Sequence, residues 1–101
     1  MTRASIEREW LNETFGEEDG YYLWSQLLFC EIIVRFTDNL PNATRGLITI
    51  DRDGRYNIYI NSRLCQELMV EAITHELDHV LKGDLEEGKD IYEVEEYLTA
   101  N

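Results

Sequence analysis

The sequence predicts one α+β domain, in which a helix is followed by a β-hairpin and then by two further helices. Three observations support this class. The chain has 101 residues and a hydrophobic fraction of 44%, as expected for one folded domain. Two segments repeat apolar residues at helical spacing, and apolar residues alternate around an Asp-Gly pair between them. We therefore assign residues 1–101 to a single domain.

The first part of the chain is predicted to be helical. Residues 4–14 have weak helical character and are followed by a Phe-Gly pair that would end a helix. A longer helix is predicted over residues 18–38, because apolar residues such as Leu23 and Leu27 recur at helical spacing. The Leu-Pro pair that ends at Pro41 would stop this helix.

A β-hairpin is predicted over residues 47–61, around the Asp-Gly pair that ends at Gly54. Its register depends on the length of the loop. A two-residue loop would place Ile50 opposite Asn57, whereas a three-residue loop with a left-handed Gly54 would place Ile50 opposite Tyr56. We favour the three-residue loop, because it puts the apolar residues of both strands on one face.

The second half is predicted to return to helices. Asn61 or Ser62 would cap a helix that runs to about Lys82 and ends at Gly83. A last helix would begin at Asp90, where an acidic residue is followed three positions later by glutamate.

The composition limits the classes of partner. With 9 basic and 21 acidic side chains, the net charge of −12 disfavours nucleic acids and anionic membranes. An acidic surface could instead dock a basic partner. The longest apolar run, residues 21–36, is too short and too polar to cross a bilayer, and the first residues lack a signal peptide. We therefore expect a cytoplasmic protein, in which Cys30 and Cys65 are buried, reduced thiols.

The sequence His75-Glu76-Leu77-Asp78-His79 within the predicted third helix carries the chemistry. Side chains four residues apart lie on one face of a helix, so both imidazoles can converge on one metal ion, for which zinc is the usual choice. Glu76 is turned by about 100° around the helix axis, and from there it can act on a water molecule without binding the metal. We predict His75 and His79 as zinc ligands and Glu76 as the general base.

The competing interpretation is an ordinary amphipathic helix with two structural histidines. Two features disfavour it: the chain has no other histidine, and this pair shares a stripe with Leu68 and Ala72 that faces inward. A separate stripe that includes Ile73 and Leu77 can supply ordinary core packing. A closed structural zinc site is also disfavoured, because the cysteines are not spaced to complete it.

A catalytic zinc ion needs a third protein ligand. Glu95 is favoured, because it falls on the apolar face of the predicted last helix, where an ionised carboxylate is costly without a cation. Asp84, directly after Gly83, is the alternative. If it is not a ligand, Asp84 or Asp78 could orient a histidine through a hydrogen bond.

The segment from Tyr56 to Leu81, with its strand followed by the H-E-L-x-H helix, resembles the ImmA/IrrE family of metallopeptidases. Val94-Glu95 matches a hydrophobic-Glu pair in small phage-associated and Gram-positive bacterial members. The resemblance implies a minimal zincin-like domain that performs intracellular, site-specific proteolysis, often of a repressor encoded nearby. It also supports Glu95 as the third ligand. The sequence contains no recognisable helix-turn-helix, so a repressor would be a separate chain.

The expected function is therefore zinc-dependent hydrolysis of a peptide bond in a protein or peptide substrate. The substrate would add as a strand to a sheet edge formed by residues 55–61. Tyr59, Tyr92 and Tyr97 are candidate donors for oxyanion stabilisation, although each could equally be a packing aromatic. One alternative is a non-catalytic binding module of zincin fold, such as a phage accessory protein or antirepressor, that docks a partner through its acidic surface. Another is a protein in which zinc only stabilises the fold. The oligomeric state is left open.

Overall fold

The computed structural model describes residues 6–41 and 43–83. These residues form three helices and three strands in the order α1, α2, β1, β2, β3, α3. The helices are α1 (Arg8–Phe15), α2 (Glu17–Leu28) and α3 (Gln66–Lys82), and the strands are β1 (Ile32–Thr37), β2 (Gly46–Ile50) and β3 (Tyr56–Asn61). The predicted α+β class is confirmed. The predicted last helix from Asp90 lies outside the described residues.

The predicted helix over residues 18–38 is wrong in its second half. α2 ends at Leu28, and Cys30 turns the chain with a left-handed φ of 58°. The following segment, Ile32–Thr37, is rich in β-branched and aromatic residues, which favour a strand once a neighbouring strand can pair with them. β3 supplies that partner, so the segment becomes β1.

The three strands form one mixed sheet with the order β1-β3-β2. β1 runs parallel to β3, and β2 runs antiparallel to it. β3 is therefore the central strand and is paired on both sides. The prediction that residues 55–61 form a sheet edge for substrate is wrong, because β1 and β2 occupy the two sides of that strand.

The β2–β3 hairpin has the predicted register. Ile50 is paired with Tyr56. A three-residue loop is closed by hydrogen bonds from Asp51 N to Arg55 O and from Gly54 N to Asp51 O, both 3.0 Å long. Gly54 has the predicted positive φ of 80°, a backbone conformation that favours glycine.

One face of the sheet packs against the helices and forms the core. The predicted core stripe of α3 is confirmed, since Ile73 and Leu77 are both fully buried. They share the core with fully buried apolar side chains from every other helix and strand: Leu11, Leu23, Ile32, Ile48, Ile58 and Ile60. This packing fixes the position of α3 relative to β2 and β3.

α3 ends as predicted at Gly83, which has a left-handed φ of 64°. Its start differs from the prediction, because the helix begins after Cys65 and neither Asn61 nor Ser62 is its N-cap. The buried Asn61 side chain instead donates a hydrogen bond from Nδ2 to the carbonyl of Thr44 at 3.0 Å. Its Oδ1, the atom that would cap a helix, accepts hydrogen bonds from Arg63 N at 3.0 Å and Arg63 Nε at 3.1 Å instead.

Cys30 and Cys65 are not joined in a disulfide, and both are exposed. The prediction of buried thiols is wrong, because Cys30 lies in the turn after α2 and Cys65 precedes the first residue of α3. Over residues 6–41 and 43–83, no helix is long and apolar enough to cross a membrane.

Candidate metal-binding and catalytic site

The two histidines lie one helical turn apart in the second half of α3, and their side chains converge. The Nε2 atoms of His75 and His79 are 3.1 Å apart, and the ring planes meet at 89°. His79 is buried with 8% exposure, whereas His75 is exposed. The pair therefore sits at the boundary between core and solvent, and one ring is held by its surroundings.

The separation of these ring nitrogens fits shared metal binding. Two nitrogens that each lie about 2.0–2.1 Å from one tetrahedral zinc ion are about 3.3 Å apart. The observed Nε2–Nε2 distance of 3.1 Å is close to that value. The same distance also fits a hydrogen bond from one neutral imidazole to the other. The pair can thus exist in a metal-free protein without rearrangement.

Glu76 directly follows His75 in α3 and is fully buried, with an exposed fraction of 0%. Its carboxylate points toward the start of β2. A β-carbon added at Gly46 would lie 3.3 Å from Glu76 Oε1, 3.1 Å from the carbonyl oxygen of Tyr59 and 3.2 Å from Ile60 Cδ1. The absence of a side chain at Gly46 therefore leaves room for the carboxylate between α3 and the sheet.

Gly46 is the residue that sequence reasoning missed. It has no positive φ, so turn chemistry does not explain the glycine. Its role follows from the close approach of β2 to α3, which is a contact between segments distant in sequence. The only local sign of this role in the sequence is that a glycine stands at the start of a strand.

The site is anchored from the core side of α3. Leu77 directly follows Glu76 and is fully buried, as is Ile73 one turn earlier. On the outer side, Asp78 Oδ2 forms an ion pair with Lys82 Nζ at 2.7 Å, and the Asp78 side chain is 46% exposed. Asp78 is therefore engaged at the helix surface by Lys82.

The described residues contain no third candidate ligand beside the two histidines. Within residues 6–41 and 43–83, no group of three or more His, Cys, Asp or Glu side chains is placed to hold a metal ion. Glu95 and Asp84, the predicted alternatives, lie outside these ranges, as do Tyr92 and Tyr97. The described part of the candidate site therefore consists of His75, His79 and Glu76.

An open depression of about 490 Å³ adjoins His75, between the C-terminal end of α1 and the outer face of α3. Its lining combines apolar, hydroxyl and carboxylate groups: Thr14, Phe15, Val70, Glu71, Thr74, His75 and Asp78.

Tyr59 is not placed to stabilise an oxyanion at this site. Its neighbours Ile58 and Ile60 point into the core toward α3, so Tyr59 points to the opposite face of the sheet. There it lines a separate shallow groove with Leu47 and Pro41. The suggestion that Tyr59 acts as an oxyanion donor is therefore wrong.

Comparisons with models of protein families, with curated proteins and with solved structures found no match to this chain.

Proposed function

We propose that the protein is a small zinc-dependent peptidase with a zincin-like domain. The observation that carries the proposal is the convergence of His75 and His79 to 3.1 Å between their Nε2 atoms, on the helix that also carries the buried Glu76 directly after His75. Helical spacing places both imidazoles on one face of α3, and residues of this kind brought together with a buried carboxylate are typical of functional sites. A zinc-dependent hydrolytic role would explain the positions of His75, His79 and Glu76.

His75 and His79 would hold the metal ion through Nε2, and Glu95 or Asp84 would complete the protein ligands. When bound, zinc would supply a Lewis acid for the scissile carbonyl and lower the pKa of water in the site. Glu76 would accept a proton from the attacking water and later donate it to the leaving amine. Because Glu76 is fully buried between α3 and the start of β2, its carboxylate would have little freedom to move during proton transfer.

The substrate backbone would bind along the outer edge of β2. Among the described residues, β2 pairs only with β3, and its first residue Gly46 lies beside Glu76. An extended peptide added to this edge would pass the site with its carbonyl groups directed at the sheet. One of its side chains would reach the depression beside His75.

The proposed substrate class follows from the resemblance to the ImmA/IrrE family. The protein would act inside the cell on another protein, such as a regulatory repressor, rather than on nucleic acid or a membrane. The net charge of −12 favours a substrate segment with basic residues.

The test compares the natural protein with a Glu76→Gln variant, both loaded with zinc and incubated with a complex peptide mixture. New peptide termini are identified by mass spectrometry. We expect both proteins to bind the same amount of zinc and only the natural protein to cleave. A Glu67→Gln variant, which changes an exposed glutamate on the same helix, is the matched control and should cleave normally.

The opposite results are equally informative. Equal cleavage by the natural protein and Glu76→Gln would contradict the role of this residue. Zinc binding without cleavage by either protein would refute the peptidase proposal and favour the alternative function, a non-catalytic module that docks a partner through its acidic surface.

A further inference from the structure

The exposed large apolar side chains of the described residues are concentrated at one place. All four lie on α2 or directly after it: Tyr21, Tyr22, Leu28 and Phe29. Phe29 is 72% exposed and Leu28 is 53% exposed. We call these four residues the α2 surface. Apolar residues scattered singly over a surface need no explanation, whereas a cluster of aromatic residues indicates an interaction site.

The α2 surface is continuous and has the geometry of a helix-binding face. Residues seven apart lie on nearly the same side of a helix, so Tyr21 aligns with Leu28 and Tyr22 aligns with Phe29. Phe29 follows the last helical residue, but its backbone N still donates to Ser25 O at 3.0 Å. Two neighbouring apolar stripes thus run along the outside of α2, opposite the buried Leu23 and Leu27.

The charge around the α2 surface selects the kind of partner. Glu17, Glu18 and Asp19 form the first turn of α2, and all three are exposed. Glu17 and Glu18 lie four residues before Tyr21 and Tyr22, so each apolar stripe begins at a carboxylate. Arg8 already lies over the Tyr21 ring, 5.2 Å from its centroid, so further contacts with Lys or Arg would fall on the rings of Tyr22 and Phe29.

Three other occupants are disfavoured by charge. A second copy of the chain would bring two molecules of net charge −12 together. Residues 84–101 of the same chain contain seven acidic residues and a single lysine, so they repel the acidic turn as well. An anionic membrane would be repelled for the same reason.

We propose that the α2 surface docks a basic amphipathic helix of a partner protein. The apolar face of that helix would cover Tyr21, Tyr22, Leu28 and Phe29, and its Lys or Arg residues would lie against the acidic first turn of α2. The binding is independent of the proposed peptidase activity, because none of its residues belongs to the histidine site.

The test uses a fluorescently labelled synthetic peptide with leucine on one face and lysine on the other face of an 18-residue helix. Its binding to the full-length protein is measured by fluorescence anisotropy. We expect a Phe29→Ser variant to bind about tenfold more weakly, since it loses the burial of one aromatic side chain. A peptide of the same composition in scrambled order should bind no better to the natural protein than to Phe29→Ser.

Charge variants separate specific docking from general attraction. Replacing Glu17 and Glu18 by glutamine should weaken binding by roughly threefold, whereas the same double change at Glu67 and Glu71 of α3 should have a smaller effect. Circular dichroism shows whether each variant keeps its fold.

Four results would overturn the proposal. Phe29→Ser could bind as tightly as the natural protein, or the α3 variant could lose as much affinity as the α2 variant. The free protein could self-associate in a way that Phe29→Ser abolishes, which would identify a second copy as the occupant. Equal, Phe29-dependent binding to phosphatidylcholine vesicles would identify a membrane surface instead.

Discussion

Replacing Gly46 by alanine tests how the fold positions Glu76. The new methyl group would lie 3.3 Å from Glu76 Oε1, 3.1 Å from the carbonyl oxygen of Tyr59 and 3.2 Å from Ile60 Cδ1. Ordinary contacts between non-bonded heavy atoms are about 3.5–4.0 Å. The carbonyl belongs to the central strand, so the movable groups are the ends of the Glu76 and Ile60 side chains. We expect the Glu76 carboxylate to move by a few tenths of an ångström.

The Gly46→Ala change should alter the free energy of unfolding only slightly. It should lower the cleavage rate clearly. Overpacking of this size costs about 1 kcal/mol, the low end of the usual range. Replacing glycine by alanine in a strand returns about 0.5–1 kcal/mol of conformational entropy. The free energy of unfolding should therefore change by less than about 1 kcal/mol. A displaced general base should lower the cleavage rate by roughly fivefold, because a full 1 Å displacement costs about a hundredfold.

A double-mutant cycle with Glu76→Asp tests the contact without a substrate. Aspartate is shorter by one methylene, so it should relieve the crowding that the Gly46→Ala change creates. Unfolding in urea, followed by circular dichroism, should show a coupling free energy of about 0.5–1 kcal/mol between the two changes. Additive effects within about 0.3 kcal/mol would refute the proposed contact between position 46 and the Glu76 carboxylate.

Three further predictions concern the histidines, the core and the hairpin. His75→Ala and His79→Ala should both abolish zinc binding in a titration, but only loss of the buried His79 should also lower the Tm of the metal-free protein. Leu77→Ala should lower the free energy of unfolding by about 2–5 kcal/mol in urea, because Leu77 is fully buried; a change below about 1 kcal/mol would contradict its anchoring role. A hydrogen bond from the backbone N–H of Arg55 holds the pKa of Asp51 below its ordinary value of 3.8. A lowered folded-state pKa stabilises the protein above pH 3.8, and this contribution is lost as the pH falls through the folded value. The Tm difference between the natural protein and Asp51→Ala should therefore shrink in acid, and a constant difference would exclude this hydrogen-bonded carboxylate as its cause.

The parts of the fold that depend on local spacing could be predicted from the sequence. The register of the hairpin followed from the alternation of apolar residues and from Gly54. Helical spacing predicted that His75 and His79 converge, and Gly83 predicted where α3 ends. Each of these features is decided by residues within a few positions of one another.

The parts that were missed depend on contacts between distant segments. Ile32–Thr37 continues an apolar pattern that begins in α2, and it becomes a strand because β3 is available as a parallel partner. The same pairing moves β3 to the centre of the described sheet and leaves β1 and β2 at its two edges. The role of Gly46 depends on the approach of β2 to α3, which no periodicity in the sequence records.

Two variants would identify the proposed third zinc ligand. Glu95→Ala or Asp84→Ala should lose zinc, and the variant that does so names the ligand. Because zinc would also stabilise the folded protein, the same variant should lose the rise in Tm that added zinc gives the natural protein.

The most direct test of the central claim is the zinc content of protein purified without added metal, measured by elemental analysis. We predict about one zinc ion per chain in the natural protein and in Glu76→Gln, and none in His79→Ala. A natural protein that contains no zinc, and binds none after reconstitution, would contradict the assignment of His75 and His79 as ligands and with it the peptidase proposal.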